Sequence, residues 1–184
     1  MRIITGIYKG RHFDVPHTFK ARPTTDFAKE NLFNVLQGYT DLEDSTALDL
    51  FSGTGSITLE LLSRGCREVV SVEKDRDHSN FIRQCVEKLN IAAEGQTHRL
   101  IRGDVFKYLK SCKQQFDFIF ADPPYSMDGI DTIPQMALPL LQPEGLLVVE
   151  HGKQNDFSQL PQFLDHRQYG SVNFSIFRNE KATE

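Results

Sequence analysis

The sequence predicts a doubly wound α/β domain of Rossmann-like architecture, a mostly parallel sheet with helices on both faces and an antiparallel hairpin at its C-terminal end. Three observations carry that reading. From Thr46 onward, strand-type runs (ALDLF, EVVSVE, THRLIRGD, FDFIFAD, GLLVVEH) alternate with stretches of helical periodicity. The runs are near-continuously apolar, the pattern of parallel strands covered on both sides. Finally, FLDHRQYG and SVNFSIFR flank Gly170 as two β-type runs, which suggests a hairpin on the sheet edge.

Each element follows in order. Arg2 to Ile7 and His12 to Val15 are short β-like runs joined through Lys9-Gly10, predicting an N-terminal β-hairpin extension over residues 1–20. Arg22-Pro23-Thr24-Thr25-Asp26 supplies capping side chains before Phe27, Ala28, Leu32, Val35 and Leu36 recur at helical spacing, and that helix should close by Gly38. ALDLF is the first strand, SITLELLSRG a helix and EVVSVE the second strand. A long helix over about 75–90 precedes THRLIRGD, and a short one near 105–112 precedes FDFIFAD. A proline-interrupted helical stretch at 130–141 leads into GLLVVEH and the closing hairpin.

At 184 residues, 39% hydrophobic and 25% charged, the chain supports one domain over 1–184, with 21–184 as its core. The longest apolar runs, such as GLLVVE at 145–150, are too short for a bilayer, and MRIITGIYKGR lacks a signal-peptide pattern. A cytoplasmic monomer with no membrane partner is expected. Cys66, Cys85 and Cys112 are odd in number and widely spaced, so they read as reduced thiols. The six histidines show no HxxxH or HxH spacing, and no metal is expected. The net charge of −4 hides an asymmetry: residues 1–29 hold six basic side chains against two acidic ones, a concentration that suits nucleic acid better than the total does.

In doubly wound sheets, ligands bind outside the carboxyl ends of the strands where strand order reverses. After the first strand comes Asp49-Leu50-Phe51-Ser52-Gly53-Thr54-Gly55, whose glycines let backbone approach a ligand and turn into a helix N-terminus. It is not a dinucleotide fingerprint, since the third glycine would fall at Thr58. Glu73 ends the second strand, followed by Lys74, and a carboxylate there can accept from both hydroxyls of a ribose. Gly103-Asp104-Val105 after the third strand adds an acid and an apolar residue that can flank an adenine. Singly these read as a tight turn, a surface charge and a helix N-cap. Jointly they describe a pocket for a nucleoside with a cationic rather than phosphorylated tail, which fits S-adenosyl-L-methionine better than NAD or ATP.

The fourth strand runs into Asp122-Pro123-Pro124-Tyr125. Both prolines stop the ladder and stiffen the exit. An exocyclic amine is a poor nucleophile because its lone pair is delocalised into the ring. Two acceptors aimed at its hydrogens, the Asp122 carboxylate and the Pro123 carbonyl, would hold that lone pair toward a methyl donor. Tyr125 offers a face on which an unpaired base stacks.

In these motifs the chain resembles class I S-adenosylmethionine-dependent methyltransferases, and within them the RsmD-type 16S ribosomal RNA (guanine-N2) methyltransferases. The likeness runs through RIITGIYKGR, RPTTDFAKENLFNVL, DLFSGTGSITLELLSRG, VEKD, GDVFKYL, FDFIFADPPY, GLLVVEHG and YGSVNFSIFR. The resemblance implies methylation of a guanine N2 in 16S ribosomal RNA, within an assembled or assembling small subunit. It implies cofactor contacts from Asp49, Gly53, Gly55, Glu73, Asp104 and Val105, to which the adjacent Phe51 and Lys74 are added. Catalysis would centre on Asp122, Pro123 and Tyr125, with Pro124 completing the motif, and Arg11, Arg22 and Lys9 would hold RNA. Two other readings stand beside it: an amine methyltransferase with (D/N)PPY geometry acting on DNA adenine or a protein glutamine, and a nucleic-acid-binding module without chemistry.

Overall fold

The computed structural model describes residues 1–20 and 23–180. Strands β1 (Thr46–Leu50), β2 (Glu68–Glu73), β3 (Thr97–Arg102), β4 (Phe116–Ala121) and β5 (Leu141–His151) run parallel, and β6 (Phe163–Tyr169) and β7 (Val172–Arg178) add an antiparallel hairpin. All seven form one sheet in the order β3-β2-β1-β4-β5-β7-β6. The hairpin joins through β7, so β6 is the outer edge.

Successive strand residues point to opposite faces, and here both faces are core. Leu146 and Val148 of β5 enter one hydrophobic cluster while Leu147 and Val149 enter the other. That two-sided burial is why the runs read as continuous rather than alternating. One face is covered by α1 (Asp26–Leu36), α2 (Ser56–Ser63) and α3 (Arg76–Leu89), the other by α4 (Val105–Ser111) and α5 (Ile133–Ala137). Three helices start on side-chain caps: Thr25, Asp75 and Asp104 accept from the amides of Ala28, His78 and Lys107 at 3.2, 2.9 and 3.0 Å. The proline-interrupted stretch breaks into a 3-10 turn at Ile130–Thr132, α5, and a second at Leu138–Leu140.

The chain walks from β1 outward to β3 through α2 and α3, then returns to β4 beside β1. Strand order therefore reverses between β1 and β4, and their carboxyl ends leave a crevice.

The N-terminal hairpin is shorter than expected. Met1–Ile3 pair with Arg11–Phe13 around an Arg2–His12 bridge, with Ile3 N donating to Arg11 O at 3.0 Å and Phe13 N to Met1 O at 2.9 Å. From Ile4 the backbone turns onto α2 instead. Ile4 N donates to Glu60 Oε1 at 2.9 Å, Ile7 N to Ser63 O at 2.8 Å and Tyr8 N to Ser63 Oγ at 3.0 Å. A buried carboxylate is a stronger acceptor than the facing strand's carbonyl, so Glu60 captures amides the ladder would have used. Every residue of α2 is buried as a result.

Candidate active site

A cavity of about 1150 Å³ opens at the reversal point. It brings together Asp49, Phe51, Gly53, Glu73, Lys74, Asp104, Val105, Asp122, Pro123, Pro124 and Tyr125, the candidates read from four separate strand ends. Gly55 stands just behind it as the N-cap of α2.

The loop after β1 is held in an unusual conformation. Phe51, Gly53 and Gly55 take φ values of 58, 57 and 84°, a region that costs any residue with a Cβ. At Gly55 the constraint is double, because a Cβ would come within 2.9 Å of Ile82 Cγ1 on α3. For Phe51 the strain sits against an edge-on contact with Phe106, ring centroids 6.4 Å apart. A non-glycine residue kept in this region beside a cavity is a signature of a functional loop.

Asp49 is fully buried in the strand itself. Its Oδ2 accepts from Thr58 Oγ1 at 2.6 Å, and Thr58 continues to Ser71 at 2.6 Å and Ser71 to His98 at 2.9 Å. Burial still dominates over these bonds, pushing the carboxyl up to about 7. The sign follows directly. The folded chain keeps a proton on Asp49 that the unfolded chain releases near 3.8, so the contribution of this group to stability is full below about pH 4 and declines as pH rises toward 7. Asp49→Asn, which keeps an acceptor for Thr58, is expected to remove that decline, on the order of 4 kcal/mol at most. Thermal unfolding from pH 4 to 8 checks it, and a slope unaffected by the substitution would assign the titration elsewhere.

Glu73 is held by two backbone donors. Gly53 N donates to Oε2 at 2.6 Å and Asp75 N to Oε1 at 2.9 Å. The side chain thus ties the loop after β1 to the turn after β2, and each oxygen retains a lone pair toward the cavity. Asp104 lines the cavity and also caps α4.

The turn after β4 begins with Asp122 N donating to Leu50 O at 3.3 Å, which fixes it over the end of β1. Tyr125 is 38% exposed, and its hydroxyl donates to Glu150 Oε1 at 3.0 Å while Gln154 Nε2 donates to its carbonyl at 3.1 Å. Burial first, then Glu150 and Asp49, hold the Asp122 carboxyl well above the usual carboxylate range, and burial raises Glu150 too. The two carboxyls therefore titrate as a pair rather than singly. This modifies the expectation of a simple Asp122 carboxylate. Glu150 was missed in the sequence, although GLLVVEH carries an acid at the fifth strand end as the earlier strands do. Lys20, Pro23, Thr24 and His78 also line the cavity, without a local signal that singles them out.

The N-terminal basic stretch is less uniform than its composition. Lys29 is 1% exposed, donating to Arg2 O at 2.7 Å and Ser56 Oγ at 3.0 Å, and Arg2 pairs with Asp26 at 3.2 Å. Arg11 is exposed, and its guanidinium donates to Lys88 O at 2.8 Å, at the C-terminal end of α3. Lys9 lies in the turn against the far end of α2. Since both helices begin at the cavity and α3 is 14 residues long, the Arg11 contact lies about 20 Å from it. Arg22 lies outside the described residues. Among the described residues, no helix is long and apolar enough to cross a membrane.

Sheet order, strained first loop and acid-lined crevice define a Rossmann-like methyltransferase fold. A family model described as Conserved hypothetical protein 95 matches residues 1–178, and the chain belongs to that family. It is 30% identical to Ribosomal RNA small subunit methyltransferase D of Haemophilus influenzae over 97% of this chain and 94% of that protein. The same-named protein of Escherichia coli K12 is 29% identical over 100% and 92%. An Escherichia coli chain solved as "Putative methyltransferase yhhF" superposes with a TM-score of 0.83 at 26% identity, covering 99% of both chains. The RsmD-type resemblance read from the motifs is thereby borne out.

Proposed function

We propose that this chain uses S-adenosyl-L-methionine to methylate the exocyclic N2 amine of a guanine in 16S ribosomal RNA. The carrying observation is the Asp122-Pro123-Pro124-Tyr125 turn, fixed at the rim of a cavity whose other wall is the glycine loop and Glu73. The lining suits the cofactor: Glu73, Asp75 and Asp104 match Lys20, Lys74 and Arg76 in charge, and Asp49 and Asp122 add two further carboxyls whose hold on a proton is raised, so the cavity has no excess of cations to cradle a phosphorylated tail. When bound, this cofactor supplies a methyl group carried on a sulfonium. Glu73 would accept from the ribose hydroxyls, and Val105 would flank the adenine.

Asp122 and the Pro123 carbonyl accept from the two amine hydrogens and orient the nitrogen. The proton that nitrogen releases after methylation goes to the Asp122–Glu150 pair, which has room for a second one. Tyr125 stacks on the extruded base. Guanine and its N2 rest on family resemblance and ribosomal RNA on the names of the relatives, while an exocyclic amine rests on the acceptor geometry. Lys20 and Lys74 at the mouth, with Lys9 and Arg11 farther off, offer phosphates two cationic footholds. An assembling small subunit would supply further contacts.

Nucleoside mass spectrometry of 16S ribosomal RNA from cells with and without the gene is expected to show one N2-methylguanosine lost on deletion and restored by the purified protein on small subunits. Loss of a ring-nitrogen, carbon or ribose methyl instead, or no loss, would overturn the reading.

A further inference from the structure

Glu150 is the penultimate residue of β5, with only 7% of its surface exposed. One oxygen, Oε1, accepts from the Tyr125 hydroxyl. The other, Oε2, is buried and meets no hydrogen-bond donor among the described residues. A buried carboxylate oxygen without a donor is strongly disfavoured. Asp122 and Glu150 each stand one position beyond the paired Ala121 of β4 and Val149 of β5, and the two carboxyls are hydrogen-bond neighbours, so a proton on Asp122 would give this oxygen a donor. Glu150 therefore touches both chemistry-bearing side chains of the turn after β4 while lying behind them.

We propose that Glu150 is a positioning residue for the methyl transfer: it fixes Tyr125 through the hydroxyl and turns the Asp122 carboxyl so that its second oxygen faces the acceptor amine. This deepens the reading above and rests on it. A carboxyl group pivots freely about its last bond. One O–H donated to Glu150 removes that freedom and leaves the carbonyl oxygen of Asp122 as a fixed acceptor. The groups that bear on this proton are Glu150 from β5 and Asp49 from β1, with Tyr125 from the same turn also close to the Asp122 charge. His151, the next residue, is directed away, its ring nitrogens meeting Gly152 O at 2.8 Å and Ser175 Oγ at 2.7 Å.

Two measurements on the full chain test it. The first needs no RNA: a pH titration of the Asp122 carboxyl followed by 13C NMR in wild type and Glu150→Gln. In the wild type Asp122 should retain its proton well beyond the ordinary carboxylate range. In Glu150→Gln the amide oxygen still accepts from Tyr125 while its NH2 donates to Asp122, so Asp122 should ionise at clearly lower pH. The second is turnover on small subunits. Glu150→Ala should lower kcat, on the order of 10²-fold at most, with cofactor affinity nearly unchanged, and Glu150→Gln should recover most of it with a shifted pH profile. An Asp122 titration that ignores Glu150→Gln, or wild-type kcat in Glu150→Ala, would overturn the proposal. Should the wild type itself fail to methylate guanine, the functional reading falls, and the titration still decides whether Glu150 controls Asp122.

Discussion

Replacing Asp122 by alanine is expected to slow methyl transfer by roughly 10²–10³-fold, the cost typical of removing one preorganised polar group aimed at a reacting atom. Cofactor affinity and fold should be nearly unchanged, because the backbone amide that anchors the turn, Asp122 N to Leu50 O, survives the substitution. The side chain's relation to Glu150 sharpens the expectation. With the shared proton on Asp122, its outward-facing atom is a neutral carbonyl oxygen, which asparagine reproduces, with an NH2 that can donate to Glu150 in place of the O–H. Asp122→Asn should therefore retain considerably more activity than Asp122→Ala. What asparagine cannot do is take up the proton released by the methylated amine, so its residual rate should depend differently on pH. Single-turnover rates at saturating cofactor, with calorimetric affinities alongside, separate these effects. Full turnover in Asp122→Ala would remove Asp122 from the chemistry.

Most of the fold was legible because its determinants are local. Leu146 to Val149 are apolar in succession, and each points to a core on its own side of the sheet. The first helix starts on Thr25, within the capping run before Phe27, and Asp104 caps the fourth as its residue type allows. The N-terminal hairpin forms but is shorter than its β-like runs for the opposite reason: the acceptor that diverts Ile4 is Glu60, 56 positions away, and periodicity within residues 1–15 contains no trace of it. One charge of the basic stretch is likewise placed by distant segments. Lys29 counts among the six basic side chains of residues 1–29, yet Arg2 O and Ser56 Oγ, from two other segments, draw its ammonium inside. At the cavity, strand ends were readable one by one because Asp49, Glu73 and Asp122 each follow an apolar run. Glu150 differs because its importance lies in facing Tyr125 and Asp122, a relation set by the pairing of β4 with β5 and not by spacing.

Glu73→Ala is expected to weaken S-adenosyl-L-methionine binding by about 3 kcal/mol, roughly 10²-fold, if two charge-assisted hydrogen bonds to the ribose are lost with partial replacement by water. The geometry adds a second consequence. Both carboxylate oxygens accept a backbone N–H, from Gly53 at 2.6 Å and Asp75 at 2.9 Å, so alanine also frees the loop whose left-handed residues shape the cofactor wall. Glutamine, ordinarily conservative, fails here for a related reason. Its NH2 must face one of those two donors, and two N–H groups directed at each other cannot bond, so one loop is pushed away. Glu73→Gln should accordingly lose nearly as much affinity as Glu73→Ala, whereas a residue that merely touched one ribose hydroxyl would tolerate the amide. Calorimetric titration of both variants with S-adenosyl-L-homocysteine, after circular dichroism has established that they fold, distinguishes the cases. Unchanged affinity in Glu73→Ala excludes Glu73 from the cofactor site. Loss in alanine with near-wild-type binding in glutamine would show that the ribose contact, and not the tie between Gly53 and Asp75, carries the effect.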